Sequence, residues 1–256
     1  MGKFDGKVAL VTGCGNGIGK GIMEMFAREG ADIVANDINP ADLAAVAVTV
    51  GKLGRKIVTA VADVTKKDEV VKMADAAVQT FGKVDILVNN AGISRHAPFL
   101  DLSEEEWDRV VGLNLKGTFL VSQAVARHMV PRKYGKIINI SSSAGIGAME
   151  GTQAHYGPSK AAVINLTKVM AIALGENGIN VNCIAPGVII TDTATNRWTA
   201  EEYKAFVAKR ASQSTLARVG AITDVINAVS FLASDDSAFI SGQVIPVDGG
   251  LRNKLP

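Results

Sequence analysis

Short runs rich in Val and Ile alternate with longer helix-patterned stretches along almost the whole of this 256-residue chain. The strand-like runs fall at 8–12, 32–36, 57–62, 86–89, 136–140, 180–184 and 244–247, and the helical patterns near 17–29, 40–53, 66–81, 103–130, 156–177 and 222–233. Alternation of this kind builds βαβ units with right-handed crossovers and hence a parallel sheet. The runs are continuously apolar instead of alternating, so both faces of each strand must be covered. The expected fold class is α/β: a doubly wound, parallel seven-stranded sheet with helices on both faces, in a single domain spanning 1–256.

Composition narrows the class of partners. Charged residues are interspersed, the formal net charge is +2, and no basic block exceeds Lys66-Lys67, so no nucleic-acid footprint is expected. No apolar run approaches the ~18–20 residues of a membrane span. The N-terminus reaches its first strand too early to accommodate a signal peptide. Cys14 and Cys183 form no CxxC pair, and His96, His128 and His155 show no ligand spacing, so reduced thiols and no metal site are expected. These features suit a cytoplasmic protein.

The first strand runs directly into Thr12-Gly13-Cys14-Gly15-Asn16-Gly17-Ile18-Gly19, ahead of a helical stretch. Glycines here let backbone approach a pyrophosphate, and the helix N-terminus adds free N–H groups and partial positive charge. The spacing is TGxxxGxG and not strict GxGxxG. Glycines also make ordinary tight turns, but the position between the first strand and first helix favours a dinucleotide. The second run ends at Asn36-Asp37, where a carboxylate can accept both hydroxyls of an adenosine ribose and would repel a 2′-phosphate. With no Arg or Lys in the turn or directly after Asp37, NAD is expected over NADP.

Tyr156 and Lys160 are four residues apart at the start of a helical pattern, on one face and one turn apart. An ammonium beside a phenol favours the phenolate, which would suit Tyr156 to exchange a proton. Such pairs are common by chance. This one is preceded by Asn139-Ile140-Ser141-Ser142-Ser143-Ala144-Gly145 at a strand end, by Asp85-Ile86-Leu87-Val88-Asn89-Asn90-Ala91-Gly92, and by Asn114. Together with the glycine turn, the set resembles the short-chain dehydrogenase/reductase family over essentially the whole chain.

That resemblance implies a Rossmann fold, with about 1–140 serving the cofactor and about 141–256 serving catalysis and specificity. It implies hydride transfer between a nicotinamide cofactor and a secondary alcohol or ketone. Tyr156 would be the general acid/base and Lys160 would lower its pKa and hold the nicotinamide ribose. A serine would polarise the substrate oxygen, and Asn114 would help hold a water linked to Lys160. Counting forward from Asn139 gives Ser142 as that serine; counting back from Tyr156 gives Ser143. Ser142 is preferred, because a loop absorbs an insertion more easily than a strand end. The cofactor-binding set becomes Gly13, Asn16, Gly17, Ile18, Gly19, Asp37, Asp63, Val64, Asn89, Ala91 and Gly92, joined by Tyr156, Lys160, Pro186, Gly187, Ile189 and Thr191. Asp63 could equally be a helix cap, and Asn90 reads as structural.

The substrate is less legible. Ser94, Arg95, His96, Glu150, Gln153 and His155 would form a polar rim, suiting a small polyol, sugar or hydroxy-ketone, with His96 and Gln153 touching it beside Ser142 and Tyr156. Residues 192–214, with Trp198, Tyr203 and Phe206, read as an amphipathic helical lid or as plain surface packing. A 3-oxoacyl-(acyl-carrier-protein) reductase is the main alternative, although Asn16 stands where such enzymes usually carry Arg; a non-catalytic NAD-binding protein is a distant third. The stretches near 103–130 and 156–177 are apolar on more than one side, implying either a deep core or, as in the family, a homotetramer assembled through these helices. The role of the tail at 248–256 is left open.

Overall fold

A computed structural model of the chain describes residues 2–148, 150–191 and 199–251. Its strands are β1 (Val8–Thr12), β2 (Asp32–Asp37), β3 (Ile57–Val61), β4 (Ile86–Asn89), β5 (Gly135–Ile140), β6 (Ile179–Pro186) and β7 (Val244–Val247). They form one sheet in the order β3-β2-β1-β4-β5-β6-β7, with every neighbouring pair parallel. The helices are α1 (Gly17–Arg28), α2 (Pro40–Lys52), α3 (Lys67–Phe81), α4 (Glu104–Val111), α5 (Thr118–Met129), α6 (Tyr156–Gly175), α7 (Ala200–Gln213) and α8 (Ile222–Ala233). This is the doubly wound α/β fold expected from the alternation.

Strand pleating divides the core into two layers. Ala9 and Val11 of β1 face a cluster containing Ile22, Met23 and Phe26 of α1, Leu43 of α2, and Val225 and Val229 of α8. Val8 and Leu10 face the opposite way, against Val70 and Met73 of α3 and Val121, Val125 and Met129 of α5. Every residue of β1 is buried, which is why the run carries no polar alternation. Strand order reverses between the paired strands β1 and β4, so the loops leaving their carboxyl ends run to opposite faces of the sheet and open a crevice at the switch point.

One expected helix is divided. Between α4 and α5 the backbone widens into a π-type turn over Gly112–Gly117. Such a turn re-aims a side chain, often at a functional site. Here Asn114 is fully buried, and the Thr118 hydroxyl donates to its carbonyl at 2.8 Å. In the expected lid, α7 begins with a reciprocal cap: Thr199 N–H donates to Glu202 Oε2 at 2.8 Å, and Glu202 N–H to Thr199 Oγ1 at 3.3 Å. Trp198 and the rest of 192–198 lie outside the described residues, as does the tail beyond Leu251.

Opposite the crevice, the amino ends of the strands carry a second polar cluster. Buried Asp85 accepts from Val8 N–H and Lys83 Nζ, each at 2.9 Å, and from Arg132 Nη2 at 2.5 Å. Lys7 Nζ donates to Tyr134 Oη at 2.7 Å, which donates to Asp235 Oδ1 at 3.1 Å. Buried Lys136 donates to Asn180 Oδ1 at 2.9 Å.

Candidate active site

The turn after β1 is built around close backbone approach. Gly13 and Gly17 adopt φ +61° and +54°, a region that costs side chains strain. A Cβ at Gly13 would sit 2.8 Å from Ala91 Cα, and one at Gly19 would run into the Gly13 carbonyl oxygen. The Asn90 side chain pins the turn, donating to Thr12 O at 3.0 Å and Gly13 O at 2.8 Å, while Thr12 Oγ1 accepts from Asn90 and Ala91 N–H, both at 3.1 Å. Asn16 is the N-cap of α1 but makes no side-chain cap, unlike Asn39 at α2 or Ser103 at α4. The first amides of α1 therefore remain available to an anion.

A cavity of about 630 Å³ extends from this turn to the carboxyl end of β5. Its wall includes Gly13, Asn16, Gly17, Ile18 and Gly19, then Asp37, Val64, Ala91 and Gly92, and finally Ser142, Tyr156, Lys160, Pro186, Gly187, Ile189 and Thr191. Asp37 is the sole carboxylate among the described lining residues, at the end near the glycine turn; Arg95 and Lys160 are the cations, toward the other end. The glycine cradle, uncapped helix start and single carboxylate fit the pyrophosphate and adenosine ribose of a dinucleotide.

At the reactive end, Ala144 N–H donates to Ser142 Oγ at 3.1 Å, and the Ser142 hydroxyl is hydrogen-bonded to Tyr156. Burial pushes the Tyr156 phenol above its ordinary pKa, with the Ser142 bond pulling the other way. Burial pushes Lys160 down to about 8, partly opposed by the nearby Cys183. Lys160 Nζ donates to Ile140 O at 2.9 Å. The expected lowering of the tyrosine by the lysine is not among the causes that act on the phenol here: burial raises it, the Ser142 bond opposes that, and the Lys160 amine is engaged with a strand carbonyl. Asn114 Oδ1 accepts from Ile93 N–H at 2.9 Å, while its Nδ2 donates to Ile93 O at 3.1 Å and Ser159 Oγ at 3.0 Å. It ties the Gly92–Ile93 loop to α6. A Cβ at Gly92 would stand 2.9 Å from Asn114 Oδ1 and 3.2 Å from Lys160 Nζ, so this loop too must be bare.

Several expected residues lie elsewhere. Asn89 is buried below the cavity floor, donating to Ser122 Oγ and Asn139 Oδ1, both at 2.8 Å, because the β4–β5 register places it beside Asn139. Asp63 is not on the wall; its Oδ1 accepts from Thr65 N–H at 2.9 Å and Thr65 Oγ1 at 2.8 Å. Ser143 is buried in the short turn after β5, whereas Ser142 faces the cavity. Of the expected polar rim, Ser94 and Arg95 line the cavity. His96 is exposed, with Nδ1 3.1 Å from Thr152 Oγ1, and Gln153 is half-buried off the wall. Glu150 is paired with Arg210, and its Oε2 lies 3.4 Å from His96 Nδ1. His155 is completely buried and both ring nitrogens lack partners; as the residue before α6 it turns inward instead of rimming the mouth. Sequence reasoning missed Ile38, an exposed apolar residue on the wall immediately after Asp37, and Leu113, presented by the π-type turn. An apolar residue directly following the strand-end carboxylate was the available signal for Ile38.

The fold and the cavity together define a dinucleotide-binding protein of the Rossmann type, with Ser142, Tyr156 and Lys160 on one wall. Known proteins agree. A sequence-family model described as enoyl-(acyl carrier protein) reductase matches residues 13–252. The chain is 40% identical over 249 residues to the 3-oxoacyl-(acyl-carrier-protein) reductase of Thermotoga maritima, covering 97% of this chain and 99% of the relative. It is 41% identical over 252 residues to gluconate 5-dehydrogenase of Gluconobacter oxydans, covering 98% and 97% respectively. A structure of carveol dehydrogenase from Mycobacterium avium, in complex with NAD, superimposes with a TM-score of 0.93 at 31% identity, over 99% of this chain and 100% of that one. The chain belongs to the short-chain dehydrogenase/reductase family. It is an oxidoreductase that transfers hydride between a nicotinamide cofactor and a CH–OH or carbonyl substrate.

Proposed function

We propose that this enzyme uses NAD(H) and interconverts a small, polar secondary alcohol, such as a polyol, sugar or hydroxy-ketone, with its ketone. The observation that carries the cofactor choice is Asp37: its carboxylate stands on the wall near the glycine turn, and the described cations on that wall are at the other end. A 2′-phosphate would meet a negative charge with no counter-charge there. Residues 1–140 supply the cradle and 141–256 most of the reactive end. When bound, the nicotinamide supplies or accepts the hydride. Tyr156 gives a proton to the substrate oxygen or takes one from it, and Ser142, oriented by Ala144 N–H, hydrogen-bonds that same oxygen. Lys160 would hold the nicotinamide ribose and pass protons on, with Asn114 fixing the adjoining loop and, in this reading, helping to hold a water linked to Lys160.

Ser94 and Arg95 on the wall favour a hydroxylated or anionic substrate over a wholly apolar one. The likeness to gluconate 5-dehydrogenase supports this reading, and that to the Thermotoga 3-oxoacyl reductase supports an acyl thioester as the second. Phe119, Val169 and Ile172 on α5 and α6 are 42%, 55% and 83% exposed, which favours a homotetramer packed through these helices; the location proposed for it is the cytoplasm. The test follows nicotinamide absorbance with NADH and NADPH against polyols, sugar acids, apolar ketones and a 3-oxoacyl thioester, on protein whose mass is measured by light scattering. Faster turnover with NADPH removes the cofactor assignment; activity confined to apolar ketones removes the substrate class; a monomeric mass removes the tetramer.

A further inference from the structure

Three glycines of the first turn are accounted for by backbone geometry or by packing within the turn: Gly13 and Gly17 by positive φ, Gly19 by collision with the Gly13 carbonyl. Gly15 is different. Its φ is not in the left-handed region, and it is not on the cavity wall. Its N–H donates to Asp37 Oδ2 at 2.9 Å, next to the Cys14 N–H that donates to Asn36 O at 3.0 Å. A Cβ at position 15 would stand 2.8 Å from Asp37 Oδ2 and 2.7 Å from Asp42 Cβ. The second oxygen, Oδ1, accepts from Asn39 N–H at 3.1 Å. Each oxygen of the carboxylate thus takes one backbone N–H. A carboxylate has about four acceptor sites, so acceptor capacity remains on both oxygens. That arrangement matches a vicinal diol, one hydroxyl per oxygen.

We propose that Gly15 is a positioning residue that sets the Asp37 carboxylate for the adenosine ribose diol, making it a second determinant of cofactor preference alongside Asp37. The inference rests on the NAD(H) reading above. A side chain at position 15 pushes Oδ2 away and weakens the bond that orients it. The carboxylate then no longer spans both hydroxyls, while a cofactor bearing a 2′-phosphate, which the Asp37 charge repels in either position and which has no bond to it to lose, changes little.

The test is a double-mutant cycle on the full chain: wild type, Gly15→Ala, Asp37→Ala and the double variant, with NADH and NADPH affinities from fluorescence titration and melting temperatures for all four. Gly15→Ala is expected to weaken NADH about tenfold, the scale of one hydrogen bond to a charged group, and to change NADPH less than about twofold. In the Asp37→Ala background the same substitution is expected to change NADH less than about twofold. Equal losses in both backgrounds, or equal losses for both cofactors, overturn the proposal. If Gly15→Ala does not fold but the double variant does, the collision with the carboxylate is confirmed; if neither folds, the obstruction is Asp42 and the proposal fails. A wild type that binds NADPH more tightly removes the NAD(H) reading and with it the specificity role, while the melting temperatures still decide whether Gly15 and Asp37 are coupled.

Discussion

At the amino edge of the sheet, buried Asp85 is held by Lys83, Arg132 and the Val8 amide; at the carboxyl edge, buried Lys160 donates to a strand carbonyl and, among the described residues, has no carboxylate within salt-bridge distance. Burial acts on both groups in the direction of neutrality. For Asp85 it is outweighed, and the hydrogen bonds of Lys83, Arg132 and Val8 hold the carboxyl below its usual range. For Lys160 it prevails, leaving a pKa of about 8. The same sheet therefore has one edge where charges are mutually satisfied and one where a lysine and a tyrosine are held away from their ordinary protonation balance. A paired buried charge is costly to break, whereas groups poised to change protonation serve chemistry.

The sharpest break of this contrast comes from Tyr156→Phe. Loss of the acid/base group should lower kcat by about 10³-fold with little change in melting temperature. Ser142→Ala should cost about 10²-fold, and Ser143→Ala should keep most of kcat. Steady-state rates beside thermal melts check both, and a Ser143→Ala loss matching Ser142→Ala would reverse the serine assignment. Asp85→Ala should do the opposite. It leaves the Val8 amide unpartnered and two cations without their carboxylate, costing about 3 kcal/mol, or roughly 6–12 °C in melting temperature. Activity per folded molecule should be unchanged; a kcat loss without a stability loss would erase the division between the edges.

A smaller effect concerns pH. Lys160 titrates near 8 in the fold against 10.5 when unperturbed, so between these values the unfolded chain binds more protons than the folded one. Stability contributed by this group therefore rises with pH across that window. The stability of wild type relative to Lys160→Met, from denaturant unfolding near pH 8 and near pH 10, should increase; parallel curves would show that Lys160 is not held neutral by burial.

Strand positions were legible because burial on both faces demands unbroken apolar runs, and the observed strands match the expected ones to within two residues at each end. The glycine turn and the Tyr156–Lys160 pair were legible because their spacing is local. Asn89 was misplaced because sequence does not reveal strand register: it pairs with Asn139, 50 residues away, and turns below the floor. His155 lies off the rim because its burial depends on tertiary packing: as the residue before α6 it is turned inward and completely buried. The division of the 103–130 helix escaped notice because a π-type turn keeps the apolar pattern while shifting it.

By itself the sequence determined the order of strands and helices, the bare glycine turn, the Asp37 carboxylate and the tyrosine–lysine spacing, since each depends on residues within one or two turns of chain. Only the tertiary structure decided which serine faces the cavity, that Lys160 leans on Ile140 instead of Tyr156, and that Gly15 is bare to make room for Asp37. Those contacts join segments 14 to 22 residues apart or more, and their geometry is set by how the sheet and helices pack.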